Sequence, residues 1–258
     1  MSKNIAPLLI LFSSLLLVSC ANLKQIKDVI NSSDSPHSKT GLYIQPELDH
    51  GHMQSPINIR SFKEKESNSH EITFNYKDQI NAVENLGHTV QLDFEVGSII
   101  SYEGIEYDFK QMHFHTPSEH LIDGITFPME MHIVTQNSSR GKNDAPRYLV
   151  IGILFKEGKT NKFIDEFLNL IPQKERSLTS LKKGTVKLDD LFSSDELHDV
   201  ENFYHYQGSL TTPPYTETVQ WFVFKPVVEA SPEQIIAINT IEGNNARHIQ
   251  GIFDRVVD

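Results

Sequence analysis

The sequence predicts a mainly β fold: a single domain built on a large central twisted, mostly antiparallel sheet, with a few peripheral helices. Three observations carry this. Apolar and polar residues alternate from about residue 70 to 155, the period-two pattern of half-buried strands. Two runs, 148–155 and 218–224, are almost wholly apolar and suit central strands covered on both faces. Helical spacing is confined to two short stretches.

Residues 1–19 read as a secretory signal rather than part of the fold. Lys3 supplies the positive end, and residues 7–12 and 15–18 supply an apolar stretch interrupted by Ser13 and Ser14. That stretch is too short and broken for a membrane span. It ends in Leu17-Val18-Ser19-Cys20, which resembles the bacterial lipobox, where the chain is cut before the cysteine and the thiol is acylated. Cys20 is the only cysteine in the chain, so no intrachain disulfide is available. Residues 20–40 are polar and read as a lipid-anchored flexible tether, leaving 41–258 as the domain. The expected location follows: an exported periplasmic or cell-surface lipoprotein, held to a membrane by a lipid on Cys20. Ala21 replaces the acidic residue linked to inner-membrane retention, which leans towards the outer membrane.

The chain carries a formal charge of −11, which becomes −12 when residues 1–19, containing Lys3 and no acid, are removed. This balance excludes a nucleic-acid partner, which requires clustered Lys and Arg. The oligomeric state is left open, a dimer being one option.

Within the domain, strands are expected over Ile72-Thr73-Phe74-Asn75-Tyr76, Thr89-Val90-Gln91-Leu92-Asp93-Phe94 and Ile105-Glu106-Tyr107-Asp108-Phe109. The nearly continuous apolar runs 148–155 and 218–224 are the central strands. A helix is expected over 162–171, stopped by Pro172. A second opens at Ser231, with Pro232 in the first turn and Gln234 in capping-box position.

Twelve histidines are spread along the chain, and most need no special explanation. The segment Gln111-Met112-His113-Phe114-His115 is different. In a strand, residues i and i+2 share a face. His113 and His115 then aim two imidazoles to one side while Met112 and Phe114 pack on the other. Taken alone, this pattern also fits a solvent-facing pair on an edge strand. The segment Glu130-Met131-His132-Ile133-Val134 alternates in the same way. If it lies beside the first, His132 becomes a third ligand, and three imidazoles leave a tetrahedral zinc one open position. Glu130, on the same face as His132, can accept a hydrogen bond from a ring nitrogen that is off the metal. Gly208-Ser209-Leu210-Thr211-Thr212-Pro213-Pro214 reads as a turn or loop. A threonine hydroxyl beside an activated water could pass its proton to an acceptor, and Glu119 is a candidate.

Together these pieces resemble the α-class carbonic anhydrases. The matching residues run in order from about residue 51 to the C-terminus. They are Gln54-Ser55-Pro56-Ile57-Asn58-Ile59, Gly87-His88, Gln111 to His115, Ser118-Glu119-His120, Glu130-Met131-His132, Gly152-Ile153, Gly208 to Pro214, Glu217 and Trp221. The resemblance implies one Zn2+ per chain, held by His113, His115 and His132, with Gln111 and Glu130 bonded to those histidines. It implies reversible hydration of carbon dioxide to bicarbonate and a proton by zinc-bound hydroxide, with a small-molecule substrate. Thr211 matches the residue that orients the hydroxide, Glu119 the carboxylate that takes the threonine proton, and His88 the proton shuttle. Val134, Val150, Leu210, Val219 and Trp221 match an apolar wall for CO2, and Thr211 and Thr212 lie beside the bound substrate. The implied fold is a twisted sheet with zinc at the base of a cone. The chain departs from the family before Gln54, where residues 41–52 contain no Trp. Leu86 also replaces the Asn that often precedes Gly-His, and no disulfide is available. Two other readings compete: a catalytically silent carbonic-anhydrase-like binding module, and a zinc-binding surface lipoprotein.

Overall fold

The computed structural model describes residues 51–63, 70–77, 79–138, 145–192 and 202–258. The expected signal, Cys20 and the tether lie outside the described residues.

Fourteen strands follow one another among the described residues. They are β1 (Asn58–Ile59), β2 (Ile72–Asn75), β3 (Ile80–Asn85), β4 (Val90–Phe94), β5 (Ile99–Tyr102), β6 (Ile105–His115) and β7 (Leu121–Ile122). β8 (Ile125–Thr126), β9 (Met129–Asn137), β10 (Tyr148–Glu157), β11 (Ser177–Ser180), β12 (Phe203–Gly208), β13 (Val219–Phe224) and β14 (Val228–Ala230) complete the series. The large sheet runs β11-β3-β4-β6-β9-β10-β13-β12, with β5 and β2 continuing from β6 and β14 added to β10. The expected strands fall on β2, β4, β6, β10 and β13. The expected antiparallel character holds except at β10, which pairs parallel with β13 and β14. Parallel neighbours need a long crossover, here supplied by the intervening helix, β11 and β12.

β6 extends well past the alternation first seen at 105–109 and carries His113 and His115 on one continuous strand. It pairs with β9 through a bulge at Lys110, and β9 pairs with β10. Opposite residues in a sheet share a face, so the register stacks three rungs. Gln111, Val134, Val150 and Trp221 form one; His113, His132, Gly152 and Val223 form the next; His115, Glu130 and Leu154 form the third. The other face buries Met112, Phe114, Ile133, Leu149, Ile151 and Phe222 in the main core. Burying one such large side chain contributes roughly 1.5–3 kcal/mol, which fixes the register, because a one-residue slip would turn the histidines into that core.

Helix α1 (Lys162–Leu168) is capped by Asn161 and ends earlier than expected, at Asn169. Beyond its last turn, Leu170 N–H closes a tight turn on the Phe167 carbonyl, and Pro172 offers its carbonyl to the Asn85 side chain of β3. Helix α2 (Pro232–Glu242) begins as expected, with a full capping box between Ser231 and Gln234.

Candidate metal centre

His113 and His132 are direct partners across β6 and β9, and His115 is the next inward-facing residue of β6. The ring centroids lie 4.9 Å (113–115), 5.3 Å (113–132) and 4.6 Å (115–132) apart. One nitrogen from each ring lies within 4.8 Å of the other two. The remaining nitrogens are tied down where a partner exists. His113 Nδ1 lies 2.8 Å from Gln111 Oε1, and His132 Nε2 lies 2.8 Å from Glu130 Oε1. Those acceptors fix the protonated nitrogens, so His113 Nε2 and His132 Nδ1 present lone pairs to the common centre. Both ring nitrogens of His115 are buried without a hydrogen bond of ordinary geometry. A buried imidazole left this way is costly unless another ligand takes it up, and a metal ion fits that need.

Burial and the neighbouring imidazoles favour the neutral rings. His113 is pushed down to about 3 by burial, His132 and His88, and His115 is held well below 6.5 by burial and the other two histidines. Neutral imidazole is the ligating form. Burial alone would raise Glu130, but His120 and His132 outweigh it and keep the carboxylate ionised. Its two oxygens are fully used. Oε1 faces His132 Nε2 and, at 2.7 Å, His120 Nδ1; Oε2 accepts from the backbone N–H groups of Glu119 and His120 at 2.9 and 2.8 Å. Gly152 leaves room beside it: a Cβ there would meet Glu130 Oε1 at 3.0 Å and press on the carboxylate.

Glu119 is buried, and its Oε1 accepts from Arg247 N–H at 2.8 Å. Its Oε2 lies 3.6 Å from His115 Nε2 and 3.9 Å from His132 Nδ1. Burial raises the carboxyl to about 8, while the Thr211 hydroxyl and Arg247 pull it down; a cation on the three imidazoles would lower it further. Thr211 is buried, whereas Thr212 is exposed and its carbonyl accepts from Tyr215 N–H. Val150, Val219 and Trp221 share one apolar cluster, with Val134 and Leu210 packed against it. The Trp221 ring stacks edge-on 4.8 Å from His132. His88 is exposed on the turn after Gly87, its carbonyl accepting from Asn245 Nδ2 at 2.8 Å.

Sequence reasoning assigned no role to a buried chain of groups beneath this centre. His120 Nε2 lies 2.6 Å from the Tyr206 hydroxyl, which lies 2.9 Å from Ser55 Oγ. Ser55 N–H donates to Ser209 Oγ and Ser209 N–H donates to Ser55 Oγ. Arg247 Nη1 donates to Gln54 Oε1 and the Ser55 carbonyl. These contacts fasten the 54–55 segment to the loop that carries Thr211. The His120–Tyr206 contact spans 86 positions of sequence and the others more than 150, so no local pattern could expose them; the only signal was the quoted motifs themselves.

Comparison with known proteins agrees with this geometry. A family model described as eukaryotic-type carbonic anhydrase matches residues 43–258. A carbonic anhydrase of Neisseria gonorrhoeae is 36% identical over 228 residues, covering 87% of this chain and 84% of that one. A dioscorin of Dioscorea japonica is 30% identical, covering 97% and 93%. The solved α-carbonic anhydrase of Thermovibrio ammonificans, in complex with the inhibitor sulfanilamide, superposes with a TM-score of 0.72. It is 31% identical and is covered to 88% by 81% of this chain.

Proposed function

Because the chain belongs to the eukaryotic-type carbonic anhydrase family, we propose that it is a zinc enzyme that reversibly hydrates carbon dioxide to bicarbonate and a proton. The observation that carries this reading is the convergence of His113, His115 and His132 on one face of the sheet, beside the buried Glu119 carboxylate. These histidines would hold one Zn2+. When bound, zinc supplies Lewis-acid activation of water at neutral pH.

The chain's own residues do the rest. Gln111 and Glu130 fix which nitrogens of His113 and His132 face the centre. Glu119, kept ionised by a cation on the three histidines, would accept a hydrogen bond from the Thr211 hydroxyl, so that Thr211 accepts, and does not donate, towards the reacting oxygen. That orients one lone pair at the substrate. Val134, Val150, Leu210, Val219 and Trp221 offer CO2 an apolar surface, from which charged bicarbonate is released more readily than it would be from a polar one. Thr211 and Thr212 border the same place. His88 hands the product proton to solvent buffer.

The zinc-storing lipoprotein reading requires neither the Glu119–Thr211 pair nor the apolar cluster. The silent-module reading requires none of the three histidines. Stopped-flow CO2 hydration by the purified chain, with and without a chelator, separates them. The proposal expects chelator-sensitive turnover that is lost in His132→Ala, together with the zinc held by these three histidines. Absence of turnover in the zinc-loaded chain overturns it.

Export and lipidation on Cys20, with the outer membrane favoured, form part of the same proposal and rest on the sequence. Stable anchoring needs more than one acyl chain. A fatty-acid analogue fed to expressing cells should label the chain and fail to label Cys20→Ala; an unlabelled wild type excludes the anchor.

A further inference from the structure

Adjacent residues of a strand face opposite sides. Tyr204 and Tyr206 of β12 lie with the apolar cluster of the candidate metal centre, so His205, between them, faces away from it. There it meets two groups from distant parts of the chain: His70, just before β2, and Asp258. We propose that His70, His205 and Asp258 form a second metal site, for a late first-row divalent cation such as zinc, on the face of the sheet opposite the first.

The spacing suits a metal. His205 Nδ1 lies 3.1 Å from Asp258 Oδ1, and His70 Nε2 lies 3.4 Å from Asp258 Oδ2. Donors at about 2.0–2.1 Å around a tetrahedral ion stand roughly 3.3–3.4 Å apart. The rings of His70 and His205 are 4.1 Å apart, centroid to centroid. The three side chains are only 8–10% exposed, which excludes most competing water while leaving an entry route.

The hydrogen bonds leave lone pairs facing inward. His205 Nε2 lies 2.8 Å from Gln220 Oε1, an acceptor, so this nitrogen carries the proton and Nδ1 does not. In that tautomer Nδ1 and a carboxylate oxygen 3.1 Å away repel unless a metal ion or a shared proton lies between them. His70 Nδ1 lies 3.1 Å from the Tyr102 hydroxyl, which also lies 3.5 Å from His205 Nε2. In the tautomer that ligates, His70 Nδ1–H donates to that hydroxyl oxygen. That turns the other nitrogen, Nε2, towards Asp258, and it makes no hydrogen bond of its own. Burial and His205 lower the affinity of His70 for a proton, despite Asp258, and so keep it in the ligating form. Each imidazole thus has an outer partner that fixes its tautomer, the usual accompaniment of a metal-bound histidine. Asp258 is also held by its backbone, paired in both directions with His205. An ion here would staple the segment before β2, the edge strand β12 and the last residues of the chain.

The test is metal counting on the full chain without an affinity tag, equilibrated at micromolar free Zn2+ in a chelating buffer. The wild type should hold two zinc ions. His205→Ala and the isosteric Asp258→Asn should each hold one and keep CO2 hydration unchanged, whereas His132→Ala should hold one and lose it. Tyr102→Phe should bind the second ion roughly 10–100-fold more weakly. A wild type with a single zinc that His132→Ala removes overturns the proposal, since a shared proton then bridges Asp258 and the imidazoles. So does a count of two that persists in folded Asp258→Asn. A single zinc lost in His205→Ala but kept in His132→Ala would instead support this site and overturn the first.

Discussion

At the residue scale, the carboxylate of Glu130 sets His132 and His120 together while its second oxygen holds the backbone at Glu119. One side chain therefore couples a metal-facing ring to the acid that would take the Thr211 proton. This division of labour gives separable outcomes. Thr211→Ala touches no histidine and should keep its zinc. Its kcat/KM for CO2 should fall about 10²-fold or more, because the reacting oxygen loses its orienting acceptor. Unchanged kcat/KM in stopped-flow hydration would remove Thr211 from the chemistry. His88 acts later. A group with pKa near 7 releases protons to water at only about 10³ s⁻¹ if recombination runs near 10¹⁰ M⁻¹s⁻¹. His88 is exposed, yet close enough for its charge to act on His113. His88→Ala should lower kcat in dilute buffer, leave kcat/KM nearly intact and recover with imidazole buffer. An unaltered kcat would mean that protons leave by another route.

At the scale of elements, helix α2 is locked to the strand that carries the histidines by a buried acid. Glu242, its last residue, accepts from Thr116 Oγ1 at 3.0 Å, just past His115, and from Val90 N–H at 3.3 Å. Burial raises the Glu242 carboxyl well above 4.5, against the pull of Thr116, Val90 and Thr89. Its place in the last turn, at the negative end of the helix dipole, works the same way. The folded state thus binds a proton that the unfolded state has already lost above pH 4.5. Stability from this group is complete below that pH and declines as pH rises, by up to about 1.4 kcal/mol per unit until the folded pKa is reached. Glu242→Gln keeps the acceptor without the titration. Urea unfolding at pH 5 and pH 8 should show a smaller loss in the variant than in the wild type; parallel profiles would assign the pH dependence elsewhere.

At the scale of the whole molecule, the three histidines come from two strands whose pairing exists only in the folded state. Any metal they hold is therefore linked to global stability. Zinc at a thousandfold its Kd should add about 4 kcal/mol, or roughly 8–16 °C in Tm for a domain of this size. Calorimetry with and without a chelator measures this, and most of the increment should vanish in His132→Ala. A Tm indifferent to zinc would show that the folded chain does not hold the ion there.

The sequence by itself determined the local features. Alternation fixed which side of each strand a residue occupies. His113 and His115 therefore had to share a face, and Met112 and Phe114 had to turn to the other. Local cap chemistry likewise placed the start of α2 at Ser231. The tertiary structure alone decided register and distance. Nothing in Glu130-Met131-His132 dictates that His132 stands opposite His113 rather than one residue along; burial of the far face of the sheet across β6, β9 and β10 decides it. The end of α1 is of a related kind: the helix closes at Asn169, and Pro172 bonds the distant Asn85 of β3, a contact invisible to helical spacing. The chain of His120, Tyr206 and Ser55 and the group of His70, His205 and Asp258 are of the same kind. Their members are single polar residues with no local pattern, brought together because separate strands bury their apolar faces in common and leave the polar ones to pair with one another and with nearby polar groups.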